Sequence, residues 1–343
     1  MNFKRRQLLT NLPIGMAGGI LGAGAADQTG NSPATRNLRS NVWVGTVSLE
    51  GLRAGSSEEV IKEVLGYLED MKTYQPDIIC LPETFTSVYS VEGKPSFGET
   101  AEAAPYASLK PFIQFARQNK CYVICPVVIE ENKKAFNAAV LIGREGEIIG
   151  DYKKAHTTEG EMGQGIFPGP LDPPVFDLDF GRIGIQICFD IQWRDGWEAL
   201  SKKSPDIIFW PSAFAGRTLI QTKAWECHTH TVSSTIKGPA RICDISGDVL
   251  AQTEFWNPNW ICAPINLEKV LIHTWPFNNQ FPKIKEKYGR KIRITNYDQE
   301  EWTILESLDP ETKVKDVLVE FDIPTFADRL ALADNAQNAK RAG

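Results

Sequence analysis

From residue 41 onward, short continuous apolar runs alternate with stretches whose apolar residues recur at helical spacing. Residues 41–48 read as a strand. Behind a Ser56 or Ser57 cap, Val60, Ile61, Val64, Leu65 and Leu68 predict a helix to about Met71. Residues 77–81 form a second apolar run, 106–119 a second helical pattern and 122–128 a third run. Residues 138–143 turn through Arg144-Glu145-Gly146 into Ile148-Ile149, the pattern of a hairpin.

The second half repeats the alternation. A Gly/Pro-rich excursion (160–174) precedes a strand at 175–178, which pairs through Phe180-Gly181 with residues 183–187. A short helix at 197–203, a buried strand at 206–211, a helix at 222–229 and strands at 231–234, 241–245 and 260–265 follow. Strands interleaved with helices and hairpins predict an α/β layered domain, a mixed-sheet sandwich over residues 41–270. Residues 271–343 are more polar, carry a helical pattern from Pro324 onward, and read as an extension packed on the core or on a partner.

The first 40 residues break the pattern. Lys4-Arg5-Arg6 precedes a Gly-rich, modestly apolar stretch ending near Ala23-Gly24-Ala25, so residues 1–26 read as an export signal. Arg5-Arg6 suggests the twin-arginine route to a periplasmic or extracellular destination. Its glycines and Pro13 make a poor spanning helix, and stable membrane insertion is not expected. Residues 27–40 read as a linker. The net charge of −6 without a basic stripe excludes a general nucleic-acid binder. Seven cysteines leave at least one thiol unpaired unless an intermolecular bridge forms, and most sit in apolar runs.

Three apolar runs end in reactive groups. Residues 77–81 lead to Pro82-Glu83, 148–149 lead to Lys153-Lys154, and 184–187 lead to Cys188. An acid, an amine and a thiol, each just past a buried strand, can converge at one sheet edge. A thiol needs a base or a positive field to react at neutral pH. Glu83 can take its proton. Lys154 can supply the positive charge and donate to an oxyanion, with the Phe189 backbone N–H as a second donor. The chemistry is acyl transfer. Taken singly, each residue has a plain structural reading: Cys188 as a core cysteine, Glu83 as a capping carboxylate, the lysines as solvated charges. Cys227-His228-Thr229-His230 is a poor metal site, because neighbouring helical positions do not share a face.

Leu81-Pro82-Glu83, Tyr152-Lys153-Lys154-Ala155-His156 and Gly184-Ile185-Gln186-Ile187-Cys188-Phe189-Asp190 resemble the three signature segments of the nitrilase, or carbon–nitrogen hydrolase, superfamily. The resemblance covers residues 41–270. It implies an αββα sandwich with a single catalytic domain, paired into a homodimer or higher homo-oligomer, and a Glu83-Lys154-Cys188 triad without metal or organic cofactor. It also implies a further active-site glutamate, Glu161 or Glu159, with Glu161 favoured. The expected activity is hydrolysis of a non-peptide C–N bond in a small amide or N-carbamoyl compound. A nitrilase, an N-acyltransferase with the same triad and a non-enzymatic binding protein are the alternatives. Gln192 stands where the family often carries Arg, and Trp193 follows as an apolar wall. This pair predicts substrate contacts that favour a neutral or cationic compound.

Overall fold

The computed structural model describes residues 41–254, 256 and 258–342; the expected export signal and linker lie outside them. The first part of the chain comprises β1 (Asn41–Val47), α1 (Ser57–Met71), β2 (Ile78–Cys80), α2 (Lys110–Asn119), β3 (Tyr122–Glu131), β4 (Lys134–Ile142), β5 (Ile148–Lys153) and α3 (Glu159–Gly163). The second comprises β6 (Val175–Asp177), β7 (Arg182–Ile185), α4 (Asp195–Lys202), β8 (Ile207–Ser212), α5 (Thr218–Cys227), β9 (His230–Thr235), β10 (Arg241–Cys243), β11 (Val249–Gln252) and β12 (Trp260–Asn266). The third comprises β13 (Lys269–His273), α6 (Phe281–Tyr288), β14 (Ile292–Tyr297), β15 (Trp302–Ser307), α7 (Val314–Glu320) and α8 (Phe326–Ala342).

Two six-stranded sheets form the body, ordered β12-β1-β2-β3-β4-β5 and β11-β10-β9-β8-β7-β6. Each holds a parallel trio, β1-β2-β3 in one and β7-β8-β9 in the other, flanked by antiparallel strands. Strand periodicity sorts the apolar side chains into layers. Ile78 and Cys80 point into the seam between the sheets, where they meet Ile185, Ile207 and Phe209. Ile79 and Leu81 point outward beneath α1 and α2, which bury Val60, Val64, Leu68 and Phe112 against them. On the far side, α4 and α5 cover Ile208 and Trp210 with Trp197, Leu200 and Ile220. The layers therefore run helix, sheet, sheet, helix, the expected αββα order.

Local chemistry sets the helix ends. The Ser56 hydroxyl accepts from the Glu59 N–H at 3.3 Å and starts α1 where the cap was predicted. Burying a residue such as Leu68 contributes about 1.5–3 kcal/mol, and Leu68→Ala would cost about 2–5 kcal/mol with its cavity. A parallel bridge between Ser48 and Thr235 joins the sheets just past β1 and at the end of β9. The carboxyl ends of both parallel trios therefore share one edge, where open α/β sheets hold ligands.

The extension is more ordered than its composition suggests. Strands β13, β15 and β14 form a separate antiparallel sheet, and α6 and α7 close a small core of Ile272, Ile284, Leu305, Val314 and Val317 on it. Helix α8 begins two residues past Pro324 and buries none of its side chains. Among the described residues no helix is long and apolar enough to cross a membrane.

Candidate active site

Three strand exits bring the predicted groups together. After β2 the Leu81 N–H still bonds the Ile124 carbonyl at 3.0 Å; the chain then passes Pro82 and reverses at Thr84, whose φ is +40°. Glu83 is held between them and is 5% exposed. One residue past β5, the Lys154 N–H continues the ladder to the Asn137 carbonyl at 2.9 Å, and its side chain turns inward, 2% exposed. Gly169 fits close behind, since a Cβ there would meet the Lys153 carbonyl oxygen at 2.4 Å.

Lys154 Nζ donates to Glu83 Oε1 and to Glu161 Oε2, each at 2.8 Å. Asn137 Nδ2 donates to the other side of the same pair, Glu83 Oε1 and Glu161 Oε1, again at 2.8 Å. Glu161 is fixed by its own helix. The Thr158 hydroxyl caps α3, and the Glu161 carboxylate accepts from the Thr158 N–H at 2.9 Å, a reciprocal capping box. Glu159, two residues earlier, is exposed. Of the two candidates, Glu161 is the one in the cluster.

Cys188 arrives from the opposite sheet. The Gln186 N–H bonds the Phe209 carbonyl at 3.0 Å, and Cys188 then takes φ +45° at the head of a 3₁₀ turn. A non-glycine residue in this region costs about 1–3 kcal/mol and persists only where the surroundings enforce it. Asp190, fully buried, provides the enforcement. Its carboxylate accepts from the Ile187 N–H (2.9 Å), the Tyr152 hydroxyl (2.8 Å) and the His156 N–H (2.8 Å). One carboxylate thus ties the turn carrying Cys188 to the segment carrying Lys154. The Trp210 indole N–H donates to the Cys188 carbonyl at 3.0 Å and holds the turn from below.

Burial pushes the Cys188 thiol up to about 12; Glu83 adds to the rise, while Lys154, the Ala213 N–H and the Ser212 hydroxyl oppose it. Burial alone would lower the Lys154 ammonium, but Glu83, Cys188 and Glu161 overcome this and hold it above its ordinary value. Burial also works against charge on Glu161, and Lys154, Thr158 and Asn137 outweigh it, leaving this carboxyl below its ordinary range. One ammonium between two carboxylates leaves a surplus negative charge beside a neutral thiol. That surplus is what a general base requires.

Other predicted positions sit further out. Phe189 follows Cys188 in the turn, and its ring meets Trp193 edge-on at 4.8 Å. Trp193 is 38% exposed and stacks on His156 at 4.4 Å. Gln192 is exposed, and among the described residues neither Gln192 nor Trp193 hydrogen-bonds to Glu83, Lys154 or Cys188. His230 is buried with its ring nitrogens on the Cys243 and Asn266 carbonyls. Among the described residues no cluster of three or more His, Cys, Asp or Glu is arranged to hold a metal ion. Asn137, Tyr152, Asp190 and Ser212 were not singled out from the sequence as site residues. A cavity of about 1130 Å³ lies between Asp206, Leu267, Phe277 and Leu318, and none of the cluster lines it.

The fold brings a strained cysteine and a buried carboxylate–lysine cluster to one edge of an αββα sandwich. The sequence profile of the family described as carbon–nitrogen hydrolase matches residues 43–271, and the chain belongs to that family. A nitrilase of Pyrococcus abyssi is 30% identical over 171 residues, 48% of this chain and 63% of that protein. A beta-ureidopropionase of Arabidopsis thaliana is 29% identical over 147 residues, 41% of this chain and 36% of that protein. The match spans less than two thirds of either relative. The crystal structure of Saccharomyces cerevisiae Nit3, a member of branch 10 of the nitrilase superfamily, superposes with a TM-score of 0.59 at 18% identity, covering 68% of this chain and 93% of that one. At that identity the likeness is one of fold.

Proposed function

We propose that this protein hydrolyses a non-peptide C–N bond in a small amide or N-carbamoyl compound through a thioester on Cys188. The observation that carries the reading is the Lys154 ammonium clamped between Glu83 and Glu161 and coupled electrostatically to a thiol held at φ +45°. The thiol is protonated at neutral pH, so its proton passes to Glu83 as sulfur attacks the carbonyl carbon. Lys154 and the Phe189 N–H receive the developing oxyanion. Collapse breaks the C–N bond, and Glu83 returns the proton to the departing nitrogen, which leaves as ammonia or an amine. Water then gives a proton to Glu83 and attacks the thioester carbon; the C–S bond breaks, sulfur regains the proton, and the acid departs. Glu161 and Asn137 keep Lys154 and Glu83 in register throughout.

Incubation with a panel of amides, N-carbamoyl compounds and nitriles, followed by mass analysis of the denatured protein, tests this. The expected result is an acyl adduct on Cys188 with at least one amide or carbamoyl compound. Hydrolysis that leaves no adduct and survives Cys188→Ala would overturn it. Two further elements belong to the proposal. Export by the twin-arginine route is read by sequencing the N-terminus of secreted protein. Assembly into at least a homodimer is read by light scattering, where a single 38.2 kDa species at micromolar concentration would refute it.

A further inference from the structure

His156, two residues past Lys154, has both of its ring nitrogens on carboxylates. Nδ1 lies 3.1 Å from Asp190 Oδ1, and Nε2 lies 3.3 Å from Asp195 Oδ2. The two acids come from different elements. Asp190 belongs to the turn that carries Cys188, and Asp195 opens α4. Asp190 is fully buried, whereas Asp195 is half exposed. The Trp193 indole lies flat on the imidazole, with ring centroids 4.4 Å apart and 7° between the planes. The segment that carries Lys154, the turn that carries Cys188 and the head of α4 therefore meet at one imidazole.

The arrangement fits one charge state. A neutral imidazole has one N–H and one lone pair. Placed here, it would donate to one carboxylate and turn its lone pair on the other. An imidazolium donates to both, and an aromatic face stabilises a cation laid on it. Among the described residues neither carboxylate is ion-paired with a lysine or an arginine. The other groups on the Asp190 carboxylate are neutral: the Ile187 and His156 N–H groups, and the Tyr152 hydroxyl, which burial and Asp190 keep protonated. Asp195 also accepts from the Gly196 N–H at 2.7 Å. The bond to Asp190 holds the imidazole above its ordinary value; burial opposes this, and Asp195 adds to it. The charged form is therefore fully present below the free histidine value of about 6.5 and is lost as pH rises through the raised one.

We infer that His156 is a positioning residue: as an imidazolium it clamps Asp190 to Asp195 and fixes the turn that carries Cys188, and on losing its proton it releases that turn. The clamp bears on the thiol because Asp190 enforces the left-handed Cys188 backbone through the Ile187 N–H. Its place in the reaction rests on the thioester reading above. The consequence for hydrolysis is an alkaline limb just above neutral pH. Neither the Cys188 thiol, pushed up to about 12, nor the Lys154 ammonium, held above its ordinary value, titrates there.

Iodoacetamide, which needs a thiol and no substrate, reads the turn. Cys188 is 8% exposed while the turn is held, so release should speed its alkylation. Rates at Cys188 are compared for full-length wild-type and His156→Gln protein, with the labelled peptide followed by mass analysis. The rising thiolate fraction is common to both and cancels in their ratio. His156→Gln should react about fivefold faster or more at about pH 6, and the ratio should approach one by about pH 9, where wild-type His156 has lost its proton. Two measurements do not depend on that variant. Nuclear magnetic resonance of the ring nitrogens should show both nitrogens of wild-type His156 protonated at about pH 6. Asp195→Asn, a change at an exposed position, should lower the pH at which His156 titrates by about half a unit or more. A ratio indifferent to pH, a neutral His156 at pH 6, or an Asp195→Asn titration that coincides with wild type would overturn the inference. A pH-dependent ratio in protein that forms no acyl adduct with any amide would keep the clamp and discard the hydrolase reading. Acyl adducts alongside a flat ratio would discard the clamp and keep the hydrolase.

Discussion

A lysine sits between two carboxylates at two places in this protein. At the sheet edge Lys154 reaches Glu83 and Glu161, each at 2.8 Å. On the other flank Lys269 of β13 reaches Asp244 at 2.8 Å and Glu306 at 3.5 Å, with all three side chains 10% exposed. The charge count is the same. The neighbours differ. Lys154 faces a thiol on a strained turn, and its carboxylates are braced by Asn137 and the α3 cap. Lys269 faces His230, 3.6 Å from Asp244, and Arg293, 3.4 Å from Glu306, and it joins the sandwich to the three-stranded sheet. A buried charge triplet is therefore not itself a site. What sets the first apart is the thiol on a strained turn beside it, whereas the second works as a joint between two sheets.

The comparison breaks most sharply on activity. Cys188→Ala should lower kcat/KM by at least about 10⁴-fold with little change in Tm, since no other group can form the thioester. Lys154→Met should lower it by at least about 10³-fold and also destabilise the fold by about 3–5 kcal/mol, because two buried carboxylates then face each other without a cation. Lys269→Met should cost about 1.5–3 kcal/mol, yet leave turnover per folded molecule within about threefold. Denaturant titration beside steady-state kinetics reads both quantities. A Lys269→Met protein as inactive as Lys154→Met would erase the distinction.

Glu161→Gln sharpens it next. Turnover should fall about 10²-fold, the scale of losing one preorganised electrostatic contact. Stability should also change its pH dependence. The Glu161 carboxyl lies below its ordinary value in the folded protein, so its contribution is present above the unfolded carboxylate range and is lost as pH falls through the depressed value. Wild-type protein should lose unfolding free energy more steeply below about pH 4.3 than Glu161→Gln does. Parallel slopes would remove Glu161 from the charged cluster.

Glu83→Gln gives a signed result at the thiol. Glu83 helps raise the Cys188 thiol, and Lys154 opposes it. Removing the carboxylate should leave more thiolate at pH 8, so iodoacetamide should alkylate Cys188 several-fold faster while amide turnover collapses. Slower alkylation would mean that Glu83 already withdraws the proton in the resting protein.

Much of this was legible in the sequence, and the gaps have physical causes. Glu83, Lys154 and Cys188 announce themselves because each ends an apolar run, and strand ends are where side chains can leave the core. Thr158-x-x-Glu161 is a capping box and would have chosen Glu161 over Glu159 on that ground alone. Asn137 carries no such mark. It stands inside β4 among apolar residues, and only the fold shows that its strand passes between the two glutamates. Asp190 reads as one more acid after a cysteine until its three donors, drawn from two distant segments, are seen together. The β13-β15-β14 sheet escaped notice for another reason. Its outer strands pair across the later one, and in β14 the alternation breaks at Thr295 and Asn296, both exposed, so local periodicity there is faint.

The smallest expected effect belongs to Lys153, the immediate neighbour of Lys154. Successive residues of a strand point to opposite faces. Lys154 turns into the cluster, whereas Lys153 turns out to Asp151 at 2.8 Å and Glu131 at 3.2 Å, the latter carboxylate half exposed. Ion pairs of this kind are worth about 0–1 kcal/mol, because solvent screens them and two long side chains must be ordered. Lys153→Ala should therefore shift stability by less than about 1 kcal/mol and leave kcat/KM within about threefold of wild type. Its backbone remains packed on Gly169, so the path of Lys154 is kept. Side-by-side kinetics of Lys153→Ala and Lys154→Ala decide the register. Should Lys153→Ala prove the more damaging change, the inward lysine has been misassigned by one residue, and the pairing of Lys154 with Glu83 and Glu161 falls with it.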